Sequence, residues 1–124
     1  MCGIIGINSN KPVSGTIINS LKKLEYRGYD SAGIATLSSG FINEVKSEGR
    51  VDKLEKNSLV QNMEGTIGIG HVRWATHGLP NSINAHPHSS QNVSVVHNGI
   101  IENSTLLKKY LITFGILPYL FLQW

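Results

Sequence analysis

The residue types that could do chemistry begin with Cys2, the only cysteine of the chain, which directly follows Met1. Removal of Met1 would place a thiol and a free α-amino group on one residue. An α-amine with a pKa of about 7.7–8.0 can accept a proton near neutral pH, so this residue would supply a nucleophile together with its base. The simpler interpretation is a buried cysteine that packs as a small hydrophobic side chain.

Further polar groups lie where predicted strands and helices end. Arg27 precedes a predicted hairpin, Arg73 follows a glycine-rich strand, and Asn98 and Gly99 follow the next strand. An arginine can bind a carboxylate through two hydrogen bonds, and an Asn-Gly turn can offer an amide and a backbone N–H to an oxyanion. With a thiolate, these groups would suit acyl transfer from an amide or ester. Each also has a simpler interpretation, because Asn-Gly is a common hairpin turn and arginines often stack on aromatic rings.

The five histidines raise the separate hypothesis of a metal site. His86 and His88 alternate along the chain and would point the same way in an extended segment. The other three lie near predicted strand ends: His71, His77 and His97. Their spacing fits no recognised metal pattern and the cysteine is far away in sequence, so we expect neither a metal nor another cofactor.

Length and composition favour one globular domain. The chain has 124 residues, of which 40% are hydrophobic and 15% are charged. The formal net charge of +3 is small and scattered, so we expect no nucleic-acid partner. A single cysteine excludes an internal disulfide, and the N-terminus lacks a secretory signal pattern. These features predict a cytoplasmic protein.

Hydrophobic periodicity predicts alternating strands and helices. In chain order we expect a strand at about 3–8, a helix from Pro12 to near Gly28, a hairpin of 31–38 with 41–46, a helix over 50–63, a strand at 66–72, a polar loop over 76–91, a strand at 93–97 and a helix from Asn103. We expect the apolar residues 4–7 to be buried. The glycines of 66–72 predict that another backbone or a ligand lies close, and Asn98-Gly99 is expected to form a turn.

Five motifs in a fixed order carry a resemblance to one family. They are similar to the N-terminal glutaminase domain of the isomerizing glutamine:fructose-6-phosphate aminotransferases, also called glucosamine-6-phosphate synthases; the motifs are residues 2–6 (CGIIG), 24–33 (LEYRGYDSAG), 73–78 (RWATHG), 84–88 (NAHPH) and 97–103 (HNGIIEN). The resemblance runs from Met1 to about Gly115. The wider group of amidotransferases with an N-terminal cysteine (class II) includes amidophosphoribosyltransferase and asparagine synthetase. Tyr26, Tyr29 and the WATH run favour the sugar-phosphate member.

The resemblance implies an enzyme of α+β fold. The fold is the N-terminal-nucleophile (Ntn) hydrolase sandwich, in which two antiparallel sheets lie between layers of helices in an αββα order, and it would be incomplete here. The implied activity is that of a glutamine-dependent amidotransferase. Its glutaminase half forms a γ-glutamyl thioester and releases ammonia, which is used to make glucosamine 6-phosphate from fructose 6-phosphate. The implied partners are glutamine, fructose 6-phosphate through an isomerase domain absent from this chain, and further copies in homo-oligomers of full-length members.

The family's reacting and substrate-binding residues carry over by motif. Cys2 is implied to be the nucleophile, with its own α-amine as the base. Asn98 and the N–H of Gly99 would form the oxyanion hole. The glutamine α-carboxylate would be held by Arg73.

Five further positions are implied to shape the pocket. Thr76 and His77 would help to line it, and Arg27 and Gly28 would position the cysteine. Trp74 lies in the loop that, in relatives, closes over glutamine and guards the passage for ammonia.

The C-terminal residues depart from the family. Relatives continue after Asn103 to an acidic segment whose aspartate holds the glutamine α-amino group, whereas no acidic residue follows Glu102 here. We therefore expect residues 2–115 to be the N-terminal part of an amidotransferase domain and 116–124 to be a divergent apolar tail. A truncated or frameshifted product is the corresponding hypothesis. We expect little or no glutaminase activity from the chain alone.

Two alternatives follow from this departure. The chain could be an inactive remnant, or it could be an interaction partner of full-length subunits through unpaired strand edges. The segment from Tyr110 to Trp124 carries no charge. A membrane span needs about 20 apolar residues, and Gly115 and Pro118 interrupt this one, so we expect no membrane association.

Overall fold

The structure is a computed structural model that describes residues 1–76, 78–79 and 81–116. Its elements are β1 (Gly3–Asn8), α1 (Ser14–Leu24), β2 (Ser31–Ser38), β3 (Phe41–Glu48), α2 (Val51–Glu55), α3 (Ser58–Gln61), β4 (Ile67–Arg73), β5 (His88–Ser90), β6 (Val93–Val95) and α4 (Ser104–Thr113). A short 3-10 turn, Glu25–Arg27, follows α1. The first strand, the first helix and the hairpin lie where the sequence predicts them.

The strands form two antiparallel sheets. The larger sheet has the order β1-β4-β2-β3, and β5 pairs with β6 in the second. In the larger sheet Gly3 of β1 lies opposite Val72 of β4, and Ser31 of β2 lies opposite Arg73. The start of β1, the end of β4 and the start of β2 therefore meet at one end of the sheet. This register brings residues that are far apart in sequence to the same place.

The core lies between the larger sheet and helices α1, α2 and α3. Its fully buried side chains include Ile17 and Leu21 of α1, Ile34 of β2 and Leu54 of α2. A Cβ atom on Gly70 would lie 2.5 Å from Cγ2 of Ile17, so the glycine lets α1 approach β4 closely. The neighbour predicted from the glycines of this strand is therefore helix α1.

The prediction that residues 4–7 are buried is wrong for one face of the strand. Ile4 is 40% exposed, whereas Ile5 and Ile7 pack against the core. The reason is position, since β1 is an edge strand and the helices cover only one face of its sheet. Alternation of exposed and covered residues is what an antiparallel strand with one packed face shows.

The helix predicted over 50–63 is divided in two. The break falls at Lys56 and Asn57, where Asn57 adopts an extended backbone and its side chain accepts a hydrogen bond from the N–H of Leu59 at 2.9 Å. An asparagine in this position satisfies a free N–H at the start of a helix and so begins α3 afresh. The apolar spacing alone does not reveal this cap.

The prediction for the second sheet is also partly wrong. Its strand ends at Val95, and it pairs with β5, which lies inside the stretch that the sequence predicts to be a loop. The turn between the two strands is Gln91 and Asn92, because Ser90 pairs with Val93. Asn98 therefore lies outside this hairpin, and its side chain is used elsewhere.

Helix α4 begins directly after Asn103, but none of its residues is buried. Leu106 is 68% exposed, Tyr110 60% and Phe114 65%, so these three apolar side chains are not covered by other described residues. Of the predicted tail 116–124, residues 117–124 lie outside the described part of the chain. Among the residues described, no helix combines the length and the apolar character that a membrane crossing requires.

Candidate active site

A cavity of about 380 Å³ opens at the end of the larger sheet where β1, β2 and β4 meet. Its volume lies within the range of small-molecule pockets. Its walls include seven of the residues implied by the resemblance: Cys2, Arg27, Arg73, Trp74, Thr76, Asn98 and Gly99. Gly28 lies behind this wall, and His77 lies outside the described residues.

Cys2 is held by contacts on both its side chain and its backbone. The backbone N–H of Trp74 donates to the Cys2 Sγ atom at 3.4 Å. The Cys2 carbonyl oxygen accepts two hydrogen bonds, from Arg27 Nε at 3.1 Å and from Asn98 Nδ2 at 3.1 Å. An N-terminal segment would fray without such contacts. The thiol therefore has a defined place at the cavity wall.

Asn98 links the cysteine to a buried histidine. While its Nδ2 atom faces the Cys2 carbonyl, its Oδ1 atom lies 2.9 Å from Nε2 of His71. His71 belongs to β4 and is fully buried. The amide of Asn98 thus lies between the N-terminus and the sheet.

His71 is one of three imidazole rings in contact, of which His71 and His86 are stacked and His88 packs edge-on against His86. Its ring centroid lies 4.4 Å from that of His86, and the ring of His86 lies 4.5 Å from that of His88. Burial lowers the pKa of His71 to about 4 and that of His86 to about 3, and it also lowers the pKa of His88. Nearby positive groups, Arg73 among them, act in the same direction. The three histidines are therefore neutral at pH 7.

Arg73 is almost entirely buried, with 7% exposure of the residue. Its Nη1 donates to the carbonyl oxygen of Leu79 at 3.1 Å, and Asn84 Nδ2 donates to the same oxygen at 2.7 Å. These bonds hold the arginine against the cavity. A guanidinium fixed in this way suits the recognition of a carboxylate, which it can bind through two parallel hydrogen bonds.

The segment that carries Trp74 is hydrogen-bonded to Asp30, a residue of the second motif for which the resemblance implies no role. Asp30 Oδ2 accepts a hydrogen bond from the N–H of Ala75 at 2.7 Å. The Asp30 N–H donates to the carbonyl oxygen of Arg73 at 3.1 Å. The indole of Trp74 packs edge-on against Tyr29 at a centroid distance of 5.7 Å and is otherwise half exposed. The loop over the cavity is therefore anchored at its base.

Sequence reasoning missed four further residues of the cavity wall: His71, His86, His97 and Ile100. The histidines were considered only as metal ligands. Within the described part of the chain, no group of three His, Cys, Asp or Glu residues is placed to hold a metal ion. The alternation of His86 and His88 indicates that both side chains face the same way. It does not indicate that their rings pack against each other and against His71.

Gly28 lies directly against the backbone of the segment after β4. A Cβ atom at this position would lie 2.5 Å from the carbonyl carbon of Arg73 and 2.7 Å from the backbone nitrogen of Trp74. Both contacts are with backbone, which cannot rotate away as a side chain could. Any other residue at position 28 must therefore displace the base of the Trp74 loop.

We expect Gly28→Ala to lower the free energy of unfolding by about 1–3 kcal/mol, the usual cost of overpacking. Gly15→Ala is the matched control, because nothing lies within 4 Å of a Cβ there and Gly15 is in α1. Alanine in a helix should be neutral or stabilising by up to about 1 kcal/mol. Urea unfolding of both variants measures the difference. Equal stability of the two would contradict the close contact at Gly28.

Comparison with known proteins gives a consistent set of relatives. No protein-family model matches the chain. It is 52% identical over 115 residues to the isomerizing glutamine–fructose-6-phosphate aminotransferase of Mesorhizobium japonicum, covering 93% of this chain and 19% of that protein. The enzyme of the same name from Brucella suis is 54% identical over 111 residues, covering 90% of this chain and 18% of that protein. The chain thus spans about a fifth of the length of the curated relatives it matches.

Two solved structures are similar in fold. One is the glutamine phosphoribosylpyrophosphate amidotransferase of B. subtilis complexed with ADP and GMP, with a TM-score of 0.79 and 28% identity over 94% of this chain and 26% of that chain. The other is described as the allosteric regulatory enzyme of purine biosynthesis, with a TM-score of 0.81, 29% identity and the same coverage. The predicted α+β fold with antiparallel sheets is confirmed, and its second sheet consists of β5 and β6 in the part of the chain described.

Proposed function

Because this chain carries the N-terminal glutaminase segment of the glutamine–fructose-6-phosphate aminotransferases, we propose that its cavity binds glutamine and that Cys2 attacks the glutamine side-chain amide. The observation that supports this most strongly is the convergence of Cys2, Asn98 and Arg73 on one cavity. These residues would supply a nucleophile, a hydrogen-bond donor for the oxyanion and a cation for the substrate's carboxylate, and the α-amine of Cys2 would be the base.

The proposed reaction has two steps, formation of a thioester with release of ammonia and hydrolysis of that thioester. After removal of Met1, the α-amine of Cys2 takes the thiol proton and the sulfur attacks the side-chain carbonyl carbon of glutamine. The oxyanion that forms would be stabilised by Asn98 Nδ2 and the N–H of Gly99. The carbon–nitrogen bond then breaks, the α-ammonium group returns its proton to the leaving nitrogen, and ammonia is released. Water hydrolyses the thioester to glutamate and the free thiol.

Arg73 would define which acyl donors are accepted. Its buried guanidinium would bind the glutamine α-carboxylate and so fix the distance between the substrate's carboxylate end and the sulfur. A hydrogen bond to a charged group contributes about 1.5–3 kcal/mol, and the cost of losing it is higher in a buried site. Thr76 and His77 would line the same pocket, and Trp74 would cover it.

For the longer proteins of this family we propose that the released ammonia aminates fructose 6-phosphate to give glucosamine 6-phosphate. The identity of 52% to an aminotransferase of that name supports this choice. An amidophosphoribosyltransferase is the less favoured alternative, since the solved neighbour of that kind is 28% identical. Assembly as a homo-oligomer in the cytoplasm belongs to the same proposal.

Alkylation of Cys2 by a chloroketone analogue of glutamine tests the proposal without requiring turnover. We expect the L-enantiomer to react at least about tenfold faster than the D-enantiomer and L-glutamine to protect the thiol. Arg73→Lys should slow the L-enantiomer by about 10- to 100-fold, because lysine cannot form the two-pronged bond to a carboxylate. Mass spectrometry follows the modification.

A matched reagent separates binding from thiol reactivity. A simple haloacetamide carries no α-carboxylate, so Arg73→Lys should leave its reaction with Cys2 unchanged. Equal rates for the two enantiomers, with no protection by glutamine, would favour the alternative of an inactive remnant. That result would also remove the basis for assigning Arg73 to the carboxylate.

A further inference from the structure

The orientation of the Asn98 amide follows from its two hydrogen-bond partners. One end of the amide lies 3.1 Å from the carbonyl oxygen of Cys2, and the other lies 2.9 Å from Nε2 of His71. A backbone carbonyl oxygen can only accept a hydrogen bond, so the nitrogen end must face Cys2. The oxygen end then faces His71, and the hydrogen between them must belong to the histidine. His71 is therefore an Nε2–H donor.

The ring of His71 cannot turn away from this bond. It is fully buried in β4, and it lies nearly parallel to the ring of His86, with an angle of 23° between the two planes. His86 is in turn packed against His88. A neutral imidazole carries one N–H, and the depressed pKa of His71, about 4, keeps the ring neutral at pH 7. The stacked ring of His86 therefore limits rotation of the His71 ring, and the contact with Asn98 Oδ1 places its single N–H at Nε2.

We propose that His71 is a positioning residue that holds the nitrogen of the Asn98 amide towards Cys2, where that nitrogen stabilises the oxyanion. The inference rests on the proposed function. An amide nitrogen carries two hydrogens, of which one is bound to the Cys2 carbonyl, and the second remains for the oxyanion. If the amide turned over, Asn98 would present an oxygen to a developing negative charge, which would oppose the reaction.

The bond matters because Asn98 itself is exposed. A surface asparagine with one hydrogen-bond partner would exchange between its two amide orientations, which differ little in shape. The bond to the buried N–H of His71 favours one of them. A preorganised donor acts without reorganisation during the reaction, which is why such donors contribute strongly to catalysis.

Two substitutions of similar length isolate the hydrogen bond from the packing. His71→Gln places an amide N–H near the position of Nε2, whereas His71→Met has the same length and no donor. Both disturb the ring stack alike, so equal thermal stabilities serve as the control on folding. Only the glutamine variant can still hold the oxygen of Asn98.

The activity arm uses γ-glutamyl p-nitroanilide, whose attack by Cys2 forms an oxyanion, and compares it with a haloacetamide, whose alkylation does not. We expect His71→Met to slow p-nitroaniline release by about 10- to 100-fold, less than the loss of an oxyanion-hole donor itself. His71→Gln should recover most of that rate. The rate of alkylation of Cys2 by the haloacetamide should be the same in the wild type, in His71→Met and in His71→Gln. Equal p-nitroaniline rates for the two variants would overturn the proposal.

The NMR arm does not depend on activity. We expect the wild-type imidazole to be the Nε2–H tautomer, and the Asn98 amide proton bound to the Cys2 carbonyl to keep its shifted resonance in His71→Gln and lose it in His71→Met. An Nδ1–H tautomer, or an Asn98 resonance indifferent to the substitution, would overturn the proposal. If the resonances behave as expected while no p-nitroaniline is released, the positioning stands and the proposed glutaminase function fails.

Discussion

The free energy of unfolding of this chain is expected to fall steeply as the pH drops from about 6.5 to about 4. Burial lowers the pKa of His71 to about 4 and that of His86 to about 3, while an unfolded histidine titrates near 6.5. In this window the unfolded chain binds protons that the folded chain does not, so stability decreases as the pH falls. Each such histidine contributes a slope of up to about 1.4 kcal/mol per pH unit.

The charged groups around the rings act in the same direction, with one exception, whereas the hydrogen bonds of His71 to Asn98 and to the backbone of His97 raise its pKa. Arg73 of β4 opposes a positive charge on all three histidines, and Lys46 of β3 opposes one on His88. Glu44 of β3 favours a charge on His88, but it is also paired with Lys46 at 3.1 Å. The effect of burial is the largest for each ring. We therefore expect the neutral stack to be lost on acidification.

Urea unfolding at intervals of pH tests this expectation, with His86→Phe as the comparison. Phenylalanine retains a flat ring at this position and cannot bind a proton. Between about pH 5.5 and 4, the free energy of unfolding of the variant should fall less steeply with falling pH than that of the wild type. The difference between the two slopes should be about 1 kcal/mol per pH unit. Carboxylates titrate equally in both chains and cancel from the difference. If the wild type and the variant had equal slopes, His86 would have the same pKa in the folded and the unfolded chain, and the prediction would be wrong.

The second large effect is expected at the N-terminus. A chain that begins at Cys2 should release p-nitroaniline from γ-glutamyl p-nitroanilide about 10²- to 10⁴-fold faster than a chain with one glycine in front of Cys2. That factor is the usual contribution of a positioned general base, and the added residue converts the α-amine into an amide without basicity. Because the chain alone is expected to have little activity, both chains are prepared by site-specific proteolysis and compared in a single turnover, with protein in excess over the nitroanilide.

The structure gives an additional reason for this expectation. Met1 lines the cavity together with Cys2, and Arg27 Nη2 lies 3.7 Å from the sulfur atom of Met1. A residue before Cys2 therefore occupies space that a substrate would use. Alkylation of both chains by a small haloacetamide is the control, because it reports whether the thiol remains accessible. A Cys2→Ala chain sets the background. If both thiol-containing chains released p-nitroaniline at the same rate, the α-amine would not be the base.

Much of the architecture follows from local sequence patterns. Apolar spacing places α1, because its stripe of Ile17 and Leu21 faces one direction at the helical repeat. Alternation and a short turn containing Gly40 place the β2–β3 hairpin, because these two strands pair across a turn that is local in sequence. Such elements are determined by residues within a few positions of one another. The same holds for the motifs that singled out Cys2 and Asn98.

Other features depend on partners that are distant in sequence. For these features the sequence gives a wrong prediction or none. The exposed face of β1 depends on its place at the edge of the sheet, beside β4. The contact of Gly28 with the backbone of Arg73, and the loop anchor at Asp30, join segments more than forty positions apart. No periodicity encodes these distances.

The sequence by itself determined the chemical groups of the candidate site and most of the elements that carry them, because these depend on residue type and local spacing. Only the tertiary structure decided how the groups are held. The register of β1, β2 and β4 brings Cys2 and Arg73 to one cavity, Asn98 is held there by its bonds to Cys2 and His71, and the ring of His86 restricts that of His71. Burial among the other rings keeps the three histidines neutral, since desolvation disfavours their charged form.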